Sequence, residues 1–290
     1  QKNRAGLQQA VKELFQLPHA RRQAIAQAVA HDMTFDKTHD PSRFFFSVPS
    51  LPKKERSILD SFFKYFYETA FHRKQGPSIN GRVTKATQAD FTAAYYRANR
   101  TLLRTCPVCL HLGSNAAKEN DLDHYFPKAV YSPLFLHPSN LIFTCKYCNE
   151  TYKHTKDVLK AGSNPLSKVF LPYHDTVKEH ARVVFYRKGD CVKLLAADGT
   201  AGEQEKIDHF NYLYQLEERW SSDIGGIFEE IRKLYADRNL SREELRRKLN
   251  EKCADMQTLS EFPDKFIQSK YLSWLCETMF DAFYDSLQIT

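Results

Sequence analysis

Two Cys-x-x-Cys pairs, Cys106-Pro-Val-Cys109 and Cys145-Lys-Tyr-Cys148, stand with 35 residues between them. Two residues between ligands let both thiolates of a pair bind one ion, and two pairs complete the tetrahedron that Zn²⁺ takes in structural sites. Four sulfurs leave no open position for water, so such a zinc holds the fold and does no chemistry. A redox-active Cys-x-x-Cys needs one pair, which makes it the weaker account of two. The expectation is one structural zinc on Cys106, Cys109, Cys145 and Cys148. Whatever folds between the pairs must then return its ends to a single point.

The remaining cysteines, Cys191, Cys253 and Cys276, bring the total to seven. An odd count argues against a disulfide framework, and these three read as isolated free thiols in or near the core. No apolar run approaches the roughly 20 residues needed to span a bilayer, and no cleavable signal is seen at the start. These features set the expectation of a cytoplasmic protein with no membrane partner. The net charge of +7 is uneven. Residues 1–105 carry 18 Lys and Arg against 8 Asp and Glu, whereas residues 181–290 carry 16 against 20. A basic first third suits a polyanion such as nucleic acid.

Apolar periodicity divides the chain into three expected regions: a basic helical region at 1–104, a metal-binding domain at 105–175, and a β-hairpin plus helices at 176–290. Leu7, Val11, Leu14, Ile25 and Val29 fall at helical spacing. Residues 38–53 read as a loop around the aromatic knot Phe44-Phe45-Phe46. The run from Ile58 to Phe71 is helical with an aromatic stripe that belongs to the core. "QGPSINGR" (75–82) is a turn or loop, and Phe91 to Leu103 suggest another helix. "ARVVFYRKGDCVKLLAA" (181–197) reads as a hairpin turning at Lys188-Gly189-Asp190. Ile207 to Leu234 return to helical spacing, Ser241 and Glu244 form a capping box, and Phe266 to Leu287 close the chain as helix.

Between the cysteine pairs lie "DLDHYFPK" (121–128) and "SNLIFTCKYCNETYK" (139–153). The order Cys-x-x-Cys, Asp-His-x-x-Pro, Asn-Leu, Cys-x-x-Cys-Asn resembles the HNH endonucleases, also called His-Me finger or ββα-metal nucleases. The resemblance covers about 50 of the 290 residues. It implies a chain that is mainly α with a small α+β part: a ββα-metal HNH core with a four-cysteine zinc clamp, flanked by N- and C-terminal helical regions. It also implies metal-dependent hydrolysis of phosphodiester bonds, in DNA more than in RNA. An imidazole with an ordinary pKa near 6.5 suits a general base for water at neutral pH, and the resemblance gives that role to His124. Asp123 and Asn149 become ligands of a catalytic Mg²⁺ or other divalent cation. Asn140 would fix the loop and orient the His124 ring. Lys128, Lys153, Lys156 and Lys160 are candidates for phosphate contacts.

The motif departs from the family in two places. Where many members carry Lys three residues after the last motif residue, this chain has Tyr152, with Lys153 next. The third position, often His, is Asn149. His154 is the rival ligand, and His111, His137 and His174 read as structural. More loosely, "FLPYHDTVKEH" (170–180) resembles stand-alone bacterial HNH proteins, among them the nuclease subunits of Septu-type anti-phage systems, which work beside an ATPase. That implies a defence nuclease with a protein partner on its helical flanks. Two other classes stand beside the nuclease: a zinc-stabilised nucleic-acid-binding module and a structural subunit, neither of which cleaves.

Overall fold

Pro18 ends one helical period and starts the next. The computed structural model describes residues 2–71, 78–79, 82–83, 87–99, 105–111, 120–160, 164–186, 191–236, 239–258 and 265–287. Helices α1 (Lys2–Gln16) and α2 (His19–Asp32) flank Pro18, whose missing N–H and fixed φ suit a helix start. Helix α3 (Lys53–Tyr65) packs on α1 and runs on into a π-helical turn, Phe66–Phe71. Ile25, Ala28, Val48 and Leu59 form a buried cluster there, extended by Leu14, Leu17, Val29 and Phe63. The loop between α2 and α3 is held from inside. The fully buried Asp32 carboxylate accepts from Ser47 N at 2.6 Å and Val48 N at 2.9 Å. This turns Phe44 and Phe46 inward, while Phe45 stays exposed.

Two short strands, β1 (Ser78–Ile79) and β2 (Arg82–Val83), pair antiparallel within the segment read as a turn. Helix α4 (Gln88–Ala98) follows and covers the first part of the helix expected from Phe91 onward. The turn residues 80–81 lie outside the described residues, as do Leu102, Leu103 and the expected hairpin turn at 188–190. Strand β3 (Asn120–His124) pairs with β4 (Leu141–Cys145), and a π-helical segment, Tyr147–Lys153, follows β4. A short helix α5 (Val177–His180) leads into β5 (Ala181–Tyr186) and β6 (Cys191–Ala196), an antiparallel pair in register from Ala181↔Ala196 to Tyr186↔Cys191. The last elements are α6 (Ala201–Tyr214), α7 (Leu216–Ala236), α8 (Arg242–Thr258), α9 (Phe266–Thr278) and α10 (Phe280–Leu287). The capping box is made as expected: Glu244 N donates to Ser241 Oγ at 3.3 Å and Ser241 N to Glu244 Oε2 at 2.9 Å. The fold is mostly helical with a small β part. Among the described residues, no helix is long and apolar enough to cross a membrane.

The chain divides into two compact units that cut across the three expected regions: Gln1–Leu103 with Asp121–Thr176, and Arg104–Asn120 with Val177–Thr290. The reason is local bonding. Asp121–Thr176 is tied to the N-terminal helices by Ser132 donating to Asp60, by Ser139 Oγ to Asp36 at 2.6 Å, and by His137 Nε2 against Met33 O at 3.2 Å. The segment of Cys106 and Cys109 is tied instead to α7. Trp220 Nε1 donates to Cys109 O at 3.1 Å, and His111 Nε2 meets Asp223 Oδ2 at 2.7 Å.

In the second unit the edge of β6 is closed by helix side chains. Val192 N donates to Ser221 Oγ, Leu194 N to Glu217 Oε1, and Ala196 N to Gln204 Oε1, each at 2.8 Å. An edge strand whose N–H groups are satisfied this way offers no template for another chain. Both tryptophans, Trp220 and Trp274, lie in this unit, so indole fluorescence reports its unfolding. Glu217→Ala strips the acceptor from Leu194 N and is expected to cost about 1–3 kcal/mol in urea denaturation. Lys193→Ala, which removes only the exposed side of the 2.7 Å Lys193–Glu217 pair, is expected to stay within about 0.5 kcal/mol.

Candidate active site and metal centre

Four thiols converge. The Sγ atoms of Cys106, Cys109, Cys145 and Cys148 all lie within 4.8 Å of one another, with Cys145 half-buried and the other three buried. Tetrahedral Zn–S bonds of about 2.3 Å require sulfurs roughly 3.8 Å apart, so the donor set fits a metal such as zinc. Each pair is shaped by its own backbone. In the first, Leu110 N donates to Cys106 O at 2.9 Å and Cys106 N to His111 O at 3.1 Å. Leu110 takes φ 61° to close that turn, a left-handed conformation that costs a non-glycine residue roughly 1–2 kcal/mol. In the second pair, Cys145 ends β4 and Cys148 falls in the first turn of the helical segment.

The segment between the pairs places Asp123 and His124 at the end of β3, both buried. Tyr125 N donates to Asn140 O at 2.9 Å, so the end of β3 meets the start of β4. Asn140 is fully buried, and its side chain bridges the loop. Phe126 N donates to Oδ1 at 2.7 Å, and Nδ2 donates to Phe126 O at 3.2 Å and Leu134 O at 3.0 Å. The residue after Leu134 then receives the imidazole: His124 Nε2 lies 3.0 Å from Phe135 O. A carbonyl only accepts, so the neutral ring carries its proton on Nε2, and Nδ1 is the basic nitrogen. The ring is also flanked by Tyr67, edge-on with centroids 4.6 Å apart, and by Phe135 at 5.7 Å.

Lys153 departs from expectation. As a phosphate contact it should be exposed, yet its side chain is 2 % exposed. Its Nζ donates to Asp123 Oδ1 at 2.9 Å and to His124 O at 2.7 Å. The ammonium is an internal counter-ion, because it is less costly to bury paired and hydrogen-bonded than alone. The π-helical winding gives it that reach. His154 N donates to Asn149 O at 2.7 Å, a bond five residues back that takes up one residue more than an α-turn. The Asp123 carboxyl is nevertheless pushed above the usual carboxylate range, chiefly by burial, against the pull of Lys153 and with a further push from Asp121. Its Oδ2 is buried and has no hydrogen-bond partner among the described residues, and the same holds for Asp121 Oδ2. Residues two apart on a strand share a face, so both carboxylates look the same way. Tyr67, near them, has its hydroxyl pushed up to about 12 by burial and by the Asp123 charge.

The other sequence candidates fall around this centre. Lys128 is exposed, with its ammonium 5.5 Å from the Tyr67 ring centroid and 5.9 Å from that of Phe135, the two rings that hold His124. Asn149 is half-buried on the helical segment, directly after Cys148. Lys156 is half-buried, with its ammonium pKa lowered by burial, and Lys160 is exposed. His154 is exposed at the end of the helical segment with φ 46°. Sequence reasoning missed Asp121, although its spacing from Asp123 on a strand was a signal. It also missed Tyr67 and Phe135, for which no local signal exists. The 170–180 stretch has a packing role: Tyr173 Oη donates to Leu141 O at 2.6 Å, and Asp175 accepts from Leu171 N at 2.5 Å.

Cys145→Ser is expected to lower both metal content by elemental analysis and the melting temperature, because a structural metal contributes folding free energy. Lys153→Met leaves the Asp123 carboxylate buried without its cation and is expected to destabilise the first unit by about 3–5 kcal/mol, read by hydrogen exchange in β3 and β4. Comparison with known proteins adds no assignment: no family model, curated protein or solved structure matches the chain.

Proposed function

We propose that the chain is a metal-dependent endonuclease of the HNH kind, a zinc-clamped ββα unit that hydrolyses phosphodiester bonds, in DNA before RNA. The observation that carries the reading is a pair of same-facing carboxylates, Asp121 and Asp123, each with an oxygen unpartnered among the described residues. They stand beside an imidazole whose basic nitrogen is fixed by a backbone carbonyl. The order β3, β4, helical segment supports the ββα reading, and the four-thiol cluster supports the zinc clamp.

Hard divalent cations take oxygen ligands, and Asp123, Asp121 and Asn149 would hold one, whose positive charge offsets that of the phosphate and the departing 3′ oxygen. His124 Nδ1 takes the proton of the attacking water while Phe135 O holds the Nε2–H end still. Asn140 keeps that carbonyl in place through Leu134 O. Lys128, at the exposed edge of the Tyr67 and Phe135 rings, offers a cation to the substrate backbone. The basic charge of residues 1–105 extends the attraction to a polyanion. The looser likeness of residues 170–180 supports a place among bacterial anti-phage effectors with an ATPase partner, to be tested by co-purification.

One observation favours a second reading. An ammonium already sits on Asp123, which suits a nucleic-acid-binding zinc module that does not cleave. Digestion of plasmid, single-stranded DNA and tRNA, each with and without Mg²⁺ or Mn²⁺, separates the two. Cleavage that needs the metal supports the nuclease, and binding without cleavage supports the module. His124→Ala is expected to cut the rate by about 10²–10⁴, with zinc content, melting temperature and nucleic-acid affinity unchanged. A His124→Ala protein that cleaves at the wild-type rate would show that the base lies elsewhere.

A further inference from the structure

Cys253 and Cys276, read from sequence as isolated thiols, are neighbours. Their Sγ atoms lie 2.8 Å apart, both in the reduced form, between α8 and α9 of the second unit. Cys253 continues the buried stripe Leu245, Leu249 of α8, and Cys276 follows Leu272 and Leu275 on the buried face of α9. The two helices pack directly against each other. Neither sulfur is near the four-thiol cluster in sequence, and neither belongs to the site proposed above.

We propose that Cys253 and Cys276 are a dithiol–disulfide couple that closes on two-electron oxidation by a peroxide. A disulfide bond is about 2.05 Å long, so closure needs roughly 0.8 Å of approach, within what two packed side chains supply by small rotations. The local electrostatics set the order of events. The contact between the two sulfurs holds the Cys253 thiol below its ordinary pKa, while the same contact and burial push the Cys276 thiol up. Cys253 is therefore the attacking sulfur, because the thiolate is the nucleophile. It displaces water from hydrogen peroxide to give a sulfenic acid. Cys276 then attacks that sulfur, its own proton leaving with the sulfenic oxygen as a second water. Two thiols and one peroxide give one disulfide and two waters, with two electrons passing from sulfur to oxygen. Both cysteines are slightly open to solvent, at 9 % and 8 %, which admits so small an oxidant.

The consequence is mechanical. The bond ties α8 to α9 across the connection between them and removes loop freedom from the unfolded chain. The same region is already drawn together by Arg242 pairing with Asp281 and by Arg246 lying 3.9 Å over the Phe280 ring. The disulfide thus reinforces contacts that exist in the reduced form, and no rearrangement is required.

The test uses the full, zinc-loaded chain. It is treated with substoichiometric hydrogen peroxide, alkylated, and digested with trypsin without reduction. Lys252, Lys265 and Lys270 place the two cysteines in separate peptides, 253–265 and 271–290. The expected result is those two peptides linked, together lighter by two hydrogens, and an indole-monitored melting temperature about 5 °C or more higher. Dithiothreitol should reverse both changes, and Cys253→Ser and Cys276→Ala proteins should show no rise on peroxide. Cys191, half-buried in β6, serves as the internal control. If a peroxide dose that oxidises Cys191 leaves Cys253 and Cys276 both open to alkylation, or if either is linked to Cys191 instead, the proposal is overturned. The wild-type map decides the matter even where a variant folds poorly.

Discussion

A primary amide has one oxygen that accepts and two hydrogens that donate, and at Asn140 these are used inside the protein on the loop that separates β3 from β4. No other uncharged side chain of similar size satisfies Phe126 N, Phe126 O and Leu134 O together. Asp offers no donor, and Gln places its amide one methylene too far. The distance from Phe126 to Leu134 in the chain is long enough for many loop conformations, each with its own entropy. The amide selects one. The imidazole of His124 depends on that selection, because its anchoring carbonyl belongs to Phe135, the residue after the one Asn140 grips. Positioning here passes through backbone atoms, so it is stiff, and a few tenths of an ångström at the amide are felt at the ring.

The second constraint is the buried pair of Lys153 and Asp123. Burial of a carboxylate and an ammonium costs free energy that mutual attraction only partly offsets. A hydrophobic pair of the same volume would pack at lower cost. The chain keeps the pair, and one oxygen of Asp123 has no partner among the described residues. Packing alone does not account for that cost. Such an arrangement leaves the carboxylate with an internal cation on one side and a buried, unpartnered oxygen on the other. Asp121 on the same face strengthens the balance in favour of an external positive charge, since two like charges side by side raise the cost of leaving either unpaired.

What is legible in the sequence follows from short-range rules. The cysteine spacing singles out four thiols that do converge. The Ser241–Glu244 box, the 181–196 hairpin and the apolar period of the first and last helices rest on contacts within a few residues, and they form as expected. The misreadings share a different cause. Lys153 carries a charge and therefore reads as surface, and only a tertiary partner 30 residues away reverses that. Tyr67 lies in an aromatic stripe that any core helix would show, and its contact with His124 crosses 57 positions. Cys253 and Cys276 sit on separate helices whose facing is set by packing. The segment 105–175 reads as one domain because its motif is continuous in sequence, whereas its two ends bond to different sets of helices.

The under-wound helix after β4 bears on how spacing along a chain is read. A helix that closes five residues back instead of four has absorbed one extra residue without moving what lies on either side of it. Between Asn149 and Lys153 that extra residue is taken up in the turn, and the lysine arrives at Asp123. Ideal α-helical spacing from Cys148 would set that lysine on a different face of the helix. Irregular spacing is usually sought in loops, and here it lies within a helix.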